Sequence, residues 1–198
     1  MTYTSIILAS ASPRRSQLLT QIGVRHEPFP VDLEERPRPG EIPPEYVMRL
    51  AREKAAAAAA ALGRRASRPV LAADTEVVLD DRIFGKPVDE AHAVAMLMAL
   101  AGRTHQVLTA VVLHLDGRQQ AALHCSRVTF RSLGADECRR YFRTGEATGK
   151  AGAYAIQGFG AVFVERLEGS FSGVMGLPLF ETAALLDAAG VQRWRTDA

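Results

Sequence analysis

The chain has 198 residues, 47% of them hydrophobic and 23% charged, with a net charge of +2. That is ordinary globular composition, enough for one domain of two lobes spanning residues 1–198, and the charge is too small and too evenly spread for a nucleic-acid footprint. No apolar stretch reaches membrane-span length, no export signal opens the chain, and the two cysteines and five histidines lack zinc-ligand spacing, so the expectation is a cytoplasmic protein with reduced thiols at Cys125 and Cys138.

The apolar run within Ser5 to Ala9 predicts a buried strand. Ser12 then suits an N-cap and Pro13 the first helical position, while Leu18, Leu19 and Ile22 recur at helical spacing up to Gly23. Arg14 and Arg15 therefore sit in a first turn whose dipole favours anions. Free amides, the hydroxyls of Ser10 and Ser12 and two guanidinium forks would make a polyphosphate site; a plainly solvated first turn is the alternative. A short strand is expected over 26–31. The polar, proline-rich segment 32–44 reads as a loop carrying Glu34, Glu35 and Arg36.

Residues 46–62 predict a helix ended by Gly63, and its alanine run reads as ordinary helix packing. Lys54 falls on the apolar face set by Val47 and Leu50, where a lysine needs an anionic partner or a route to water. A phosphate fits as that partner; snorkelling is the alternative. Residues 69–73 predict a second buried strand that surfaces at Asp74-Thr75. A carboxylate there can hold a divalent metal or take a proton from water, or simply cap a turn.

Extended chain continues to Asp80-Asp81, which turns into Arg82-Ile83-Phe84. Gly85-Lys86-Pro87 is a stiffened turn able to aim an ammonium group. Asp89 caps a helix to about Ala101, with Val94, Leu97 and Met98 expected on one face. Residues 104–115 and 121–130 read as a hairpin through Asp116-Gly117. A helix over 135–144, an irregular glycine-rich stretch over 149–160, a strand over 161–167 and a helix over 178–189 complete the pattern. The alternation predicts an α/β fold with a mixed sheet and flanking helices. No phosphate-binding GxxxxGK[ST] loop is present, and Gly158-Phe159-Gly160 lacks the strand-before, helix-after setting of a dinucleotide fingerprint.

Six segments in order, LASASPRR at 8–15, AREKA at 51–55, AADT at 72–75, GKP at 85–87, KAGAYAIQG at 150–158 and GLP at 176–178, resemble the Maf family of nucleoside triphosphate pyrophosphatases, also described as septum-formation inhibitors. The resemblance covers nearly the whole chain. It implies an elongated, two-lobed, inosine-triphosphatase-like fold with a central cleft, commonly a homodimer. It implies hydrolysis of a nucleoside triphosphate to monophosphate and pyrophosphate with a divalent cation, Mg²⁺ or Mn²⁺. Carried over by motif, Ser10, Arg14 and Arg15 form the phosphate loop, and Lys54 and Lys86 add cationic contacts. Glu34 is the acidic metal or water-positioning group, and Asp74 the proton acceptor and metal ligand. Arg14, Thr75 and Gln157 match the branch acting on dTTP and UTP rather than on 7-methyl-GTP. Ala155 departs from the glycine often found there. A division regulator that binds nucleotide, a nucleic-acid module and a pyrophosphatase for another modified nucleotide are the competing readings.

Overall fold

The computed structural model describes residues 2–63 and 67–194. Its centre is a seven-stranded mixed sheet in the order β2-β1-β3-β5-β6-β7, with β4 paired to β3. The elements are β1 (Ile6–Leu8), α1 (Pro13–Gln21), β2 (His26–Pro28), α2 (Pro43–Leu62), β3 (Val70–Leu79), β4 (Arg82–Phe84), α3 (Glu90–Leu100), β5 (Thr104–Leu115), β6 (Arg118–Phe130), α4 (Ala135–Phe142), β7 (Val164–Glu168), α5 (Phe171–Met175) and α6 (Leu179–Ala188). No helix among the described residues is long and apolar enough to cross a membrane. Cys125 and Cys138 are both unpaired.

The elements follow the sequence reading closely, with four instructive differences. First, α2 begins at Pro43 rather than Tyr46, because Pro43 and Pro44 take first-turn positions where no amide donor is needed. Second, the buried stripe of α3 is Ala93, Met96, Leu97 and Leu100. This is the i, i+3, i+4, i+7 spacing; Met98, expected inward, is 41% exposed. Third, Ser12 holds the N-cap position of α1 but makes no side-chain cap bond, and its own N–H donates to Ser10 Oγ (3.2 Å). Fourth, β3 does not stop at Asp74 but runs ten residues to Leu79.

That last difference creates the cleft. β5 pairs along one edge of β3 from Val70 to Val78. The other edge is shared: β1 lies parallel opposite Val70 and Leu71, and β4 lies antiparallel opposite Val77 to Leu79. Between them, residues 72–76 have no strand partner on that edge among the described residues. The β3–β4 turn is tight because Asp80 and Asp81 both take positive φ (51° and 60°), which returns β4 directly along β3.

The core falls into three apolar clusters. One packs α1 and α6 on one face of the sheet and includes Ala73; a second packs α2 on the opposite face and includes Ala72 and Val78. The third gathers α3, α4 and the 3-10 turns with Val77 at the far end of β3. Residues of β3 and β5 contribute to all three clusters. Ala55 and Ala58 of the alanine run are fully buried, so these small side chains let α2 sit close to the sheet.

His105 supplies a stability prediction. It is 1% exposed, with Nε2 hydrogen-bonded to the Tyr154 hydroxyl (2.9 Å) and the ring edge-on to Phe130. Burial lowers its pKa to about 4. The folded protein therefore resists a proton that the unfolded chain accepts below about 6.5. His105's contribution is intact above that pH and is lost as pH falls toward 4, by roughly 3 kcal/mol in full. Glu76, described below, acts with the opposite sign over part of this range. The measurement is therefore the urea midpoint of wild type against His105→Gln between pH 7.5 and 4.5. The expected result is a difference that shifts in favour of the variant as pH falls; a pH-independent difference overturns it.

Candidate active site

Strand alternation sorts the residues at the open edge of β3. Asp74 and Glu76 point to the α2 face, and Thr75 points to the α1 face. A cleft of about 680 Å³ opens over this edge, lined on the phosphate-loop side by Ser10, Arg14 and Arg15 and elsewhere by Glu35, Lys54, Lys86, Lys150 and Gln157. Asp74 is therefore mid-strand, not at a strand terminus as the sequence pattern predicts. It reaches the cleft sideways, through the gap between β1 and β4.

On the α2 face, Lys54 Nζ lies 2.6 Å from Asp74 Oδ1 and 2.6 Å from Glu35 Oε1. Lys86 Nζ lies 2.8 Å from Glu35 Oε2. The partner demanded by a lysine on an apolar helix face is thus a pair of carboxylates of the protein itself. Glu35, not Glu34, is the acidic loop residue of the site. Glu34 is 72% exposed and pairs with Arg36 in solvent. A loop has no periodicity to decide which of two adjacent glutamates turns inward. The loop is tied down from α2 by Arg49, which makes a two-pronged bond to Glu41 and also donates to the Arg36 carbonyl.

Burial opposes ionisation of Glu35, but hydrogen bonds from Lys54 and Lys86 outweigh it and hold the carboxyl at about 2. Glu76 is the residue that sequence reasoning missed, although its position two residues from Asp74 in a strand places it on the same face. It is 8% exposed, and desolvation, then the charges of Asp74 and Glu35, push it up to about 8. Asp74 Oδ2 and Glu76 Oε2 are buried without a hydrogen-bond partner.

On the α1 face the two arginines differ. Arg15 Nε donates to the Gly176 carbonyl (2.8 Å), Nη1 to Ser10 Oγ (3.1 Å) and Nη2 to Thr75 Oγ1 (3.2 Å). It braces the β1–α1 turn, β3 and the end of α5. Among the described residues Arg14 donates only from Nε, to the Met175 carbonyl (3.1 Å), leaving its terminal nitrogens for a ligand. Ser10 Oγ accepts from both Ser12 and Arg15, so its own proton remains to donate. Lys150, also missed, lines the cleft near Arg14; its pKa is lowered by burial and then by that neighbouring charge. It donates to the Thr148 carbonyl (3.3 Å) and forms no ion pair among the described residues. Desolvated cations crowded together favour an anion between them.

The sheet and this cleft define an α/β protein with cations lining a cleft beside the carboxylates Glu35, Asp74 and Glu76. The sequence matches the family described as Maf-like protein over residues 5–189, and the chain belongs to the Maf family. Among curated relatives, a protein of Saccharophagus degradans named dTTP/UTP pyrophosphatase is 50% identical, the match covering 96% of this chain and 91% of the relative. Proteins of the same name from Cupriavidus pinatubonensis and Methylococcus capsulatus are 54% and 53% identical, with 93% and 94% of this chain covered and 96% and 91% of the relatives.

Proposed function

We propose that this chain hydrolyses dTTP and UTP to the monophosphate and pyrophosphate, removing excess or non-standard pyrimidine nucleotides. The observation that carries the reading is a partnerless carboxylate oxygen, Asp74 Oδ2, set in a cleft between the cations Arg14, Lys150 and Lys86. The names of the relatives support the choice of substrate.

Asp74 orients a water and takes its proton. The water oxygen forms a bond to the α-phosphorus, the bond from that phosphorus to the bridging oxygen breaks, and pyrophosphate leaves. Arg14, Lys86 and Lys150 neutralise phosphate oxygens, and the Ser10 hydroxyl donates to one. Lys54 holds Asp74 by Oδ1 and so leaves Oδ2 open to the cleft.

The residues fit a divalent ion, Mg²⁺ or Mn²⁺. Asp74 Oδ2 and Glu76 Oε2 are bare, hard oxygen donors, and Glu35 adjoins them. Such an ion would be held by Asp74 and Glu76 and would supply charge neutralisation to the triphosphate.

For base choice, Gln157 offers both a donor and an acceptor, matching the mixed edge of uracil or thymine; Thr75 and Arg14 line the same cleft. Gln157→Glu presents acceptors only and repels the base carbonyls. It is expected to lower kcat/KM for UTP by about tenfold or more, chiefly through KM. The reading also places the protein in the cytoplasm as a homodimer, without nucleic-acid or membrane partners.

The test is pyrophosphate release, with Mg²⁺ or Mn²⁺, from dTTP, UTP, CTP, ATP, GTP and 7-methyl-GTP. Preference for dTTP and UTP is expected. Preference for another base keeps the chemistry and discards the roles of Thr75 and Gln157. Release from none overturns the enzymatic reading.

A further inference from the structure

The Gly158-Phe159-Gly160 motif binds no nucleotide in the reading above, yet a side chain at either glycine would collide with what surrounds it. A Cβ at Gly158 would lie 1.9 Å from Glu146 Oε2, and one at Gly160 would lie 2.8 Å from the Ala155 carbonyl and 2.9 Å from the Tyr141 hydroxyl. The space they leave is filled by an internal anion. The Glu146 carboxylate accepts the Phe159 N–H (2.9 Å), the Gly160 N–H (2.9 Å) and the Tyr141 hydroxyl (2.8 Å).

The Tyr141 oxygen in turn accepts the Ala155 N–H (3.1 Å). Its ring is packed edge-on against Phe163 at 4.9 Å, so this second arm of the staple is itself fixed. Both stems of the loop 155–160 are thus tied to one Glu–Tyr pair just beyond and within α4. Between the two ties lies Gln157, an exposed side chain on the cleft wall. Glu146 itself is absent from the cleft lining.

We propose that Glu146 is a positioning residue for nucleotide selection, acting through Gln157: its carboxylate, seated on the Gly-Phe-Gly backbone, fixes the loop that presents the Gln157 amide to the base. This rests on the pyrophosphatase reading, in which Gln157 meets the base. The consequence is a division of labour in which the loop is set from outside the cleft, by groups that never touch substrate. Hydrogen bonding from Gly160, Tyr141 and Phe159 outweighs the opposing effect of burial and keeps Glu146 ionised, as charge-assisted bonds to two backbone amides require.

The experiment is a double-mutant cycle. Glu146→Gln preserves shape but turns one acceptor into a donor facing an N–H. It is expected to raise KM for dTTP and UTP about tenfold with kcat little changed, and Gln157→Ala to do the same. In the Gln157→Ala background, Glu146→Gln is expected to add almost nothing. Hydrogen exchange at the Phe159 and Gly160 amides is expected to accelerate in Glu146→Gln while β5 amides stay protected. Tyr141→Phe, which frees only one tie, serves if Glu146→Gln fails to fold and is expected to move KM the same way by less. Effects that multiply in the cycle, or a fall in kcat at constant KM, overturn the positioning role. Wild-type protein that cleaves none of the nucleotides overturns the functional reading itself, and this role with it.

Discussion

Asp74→Asn is expected to lower kcat by about 10³-fold or more while nucleotide binding survives, because a positioned general base contributes about 10²–10⁴. The substitution keeps the shape of the side chain and removes only its basicity and charge. The fold tolerates it, since Lys54 retains Glu35 at 2.6 Å when Asp74 no longer carries a charge. Binding is expected to hold or tighten, because one negative charge leaves a cleft that must accept a triphosphate. A second consequence follows at Glu76. Desolvation is the chief cause of its elevation to about 8, but the Asp74 charge is the next, so the variant's Glu76 ionises at lower pH than the wild type's. Pyrophosphate release, read beside nucleotide binding by calorimetry, checks the first claim. Activity near that of wild type removes Asp74 as the base and shifts the role to Glu76, whose Oε2 is the other bare oxygen on that face.

How much of this was legible in the chain differs by element for physical reasons. The mixed sheet, the two hairpins and the helices were readable because period-2 and period-3.6 patterns and glycine or aspartate turns are local signals. Asp80 (φ 51°), Asp81 (φ 60°) and Asp116 (φ 49°) adopt the positive φ that their turns demand. The five-residue α5 was not seen, because Ser170 to Gly176 is too short and too rich in glycine and serine to show a period. Lys54 was legible as a buried cation in need of an anion, but which anion was not. The identity depends on a strand twenty residues away and a loop that folds back.

The same limit governs the choice between Glu34 and Glu35, and the role of Arg15. The sequence places Arg14 and Arg15 side by side, but only the packing of α5's end against α1 brings the Gly176 and Met175 carbonyls to them and commits Arg15 to bracing. Asp74's route into the cleft was misread because a strand pattern shows where an element lies, not which neighbours flank its edge. Glu76 was recoverable: an acid two residues beyond a candidate base, in extended chain, must share its face. Gly158 and Gly160 were visible as glycines without a function until Glu146 was placed against them.

Lys54→Met carries the other large expected effect, on stability and activity together. Methionine replaces the apolar stem of the lysine closely and removes the ammonium. What remains on the α2 face is Glu35, Asp74 and Glu76, with the exposed Lys86 paired to Glu35 alone among the described residues. Breaking a buried ion pair from one side costs about 3–5 kcal/mol, and here the abandoned group is a carboxylate already next to another. The cost depends on pH with a definite sign. Without Lys54 the folded Glu76, already raised to about 8, loses a charge that lowers it and binds its proton more tightly still than in the unfolded chain, so stability rises as pH falls through its raised pKa. In wild type, Glu35 is held at about 2, and its contribution persists until pH falls below the ordinary glutamate value. The gap between the two proteins is therefore expected to be widest near pH 8 and to narrow toward pH 5, read as urea midpoints at each pH. Activity is expected to fall about 10²-fold or more even where the variant is folded, because Asp74 loses the contact that orients it for proton abstraction. Lys54→Arg separates the two contributions. It restores the charge but cannot reproduce a point contact to two carboxylates in a site fitted to an ammonium, so it is expected to recover stability more than turnover. A stability loss that is the same at pH 5 and pH 8 would show that Lys54 acts through packing and not through its charge.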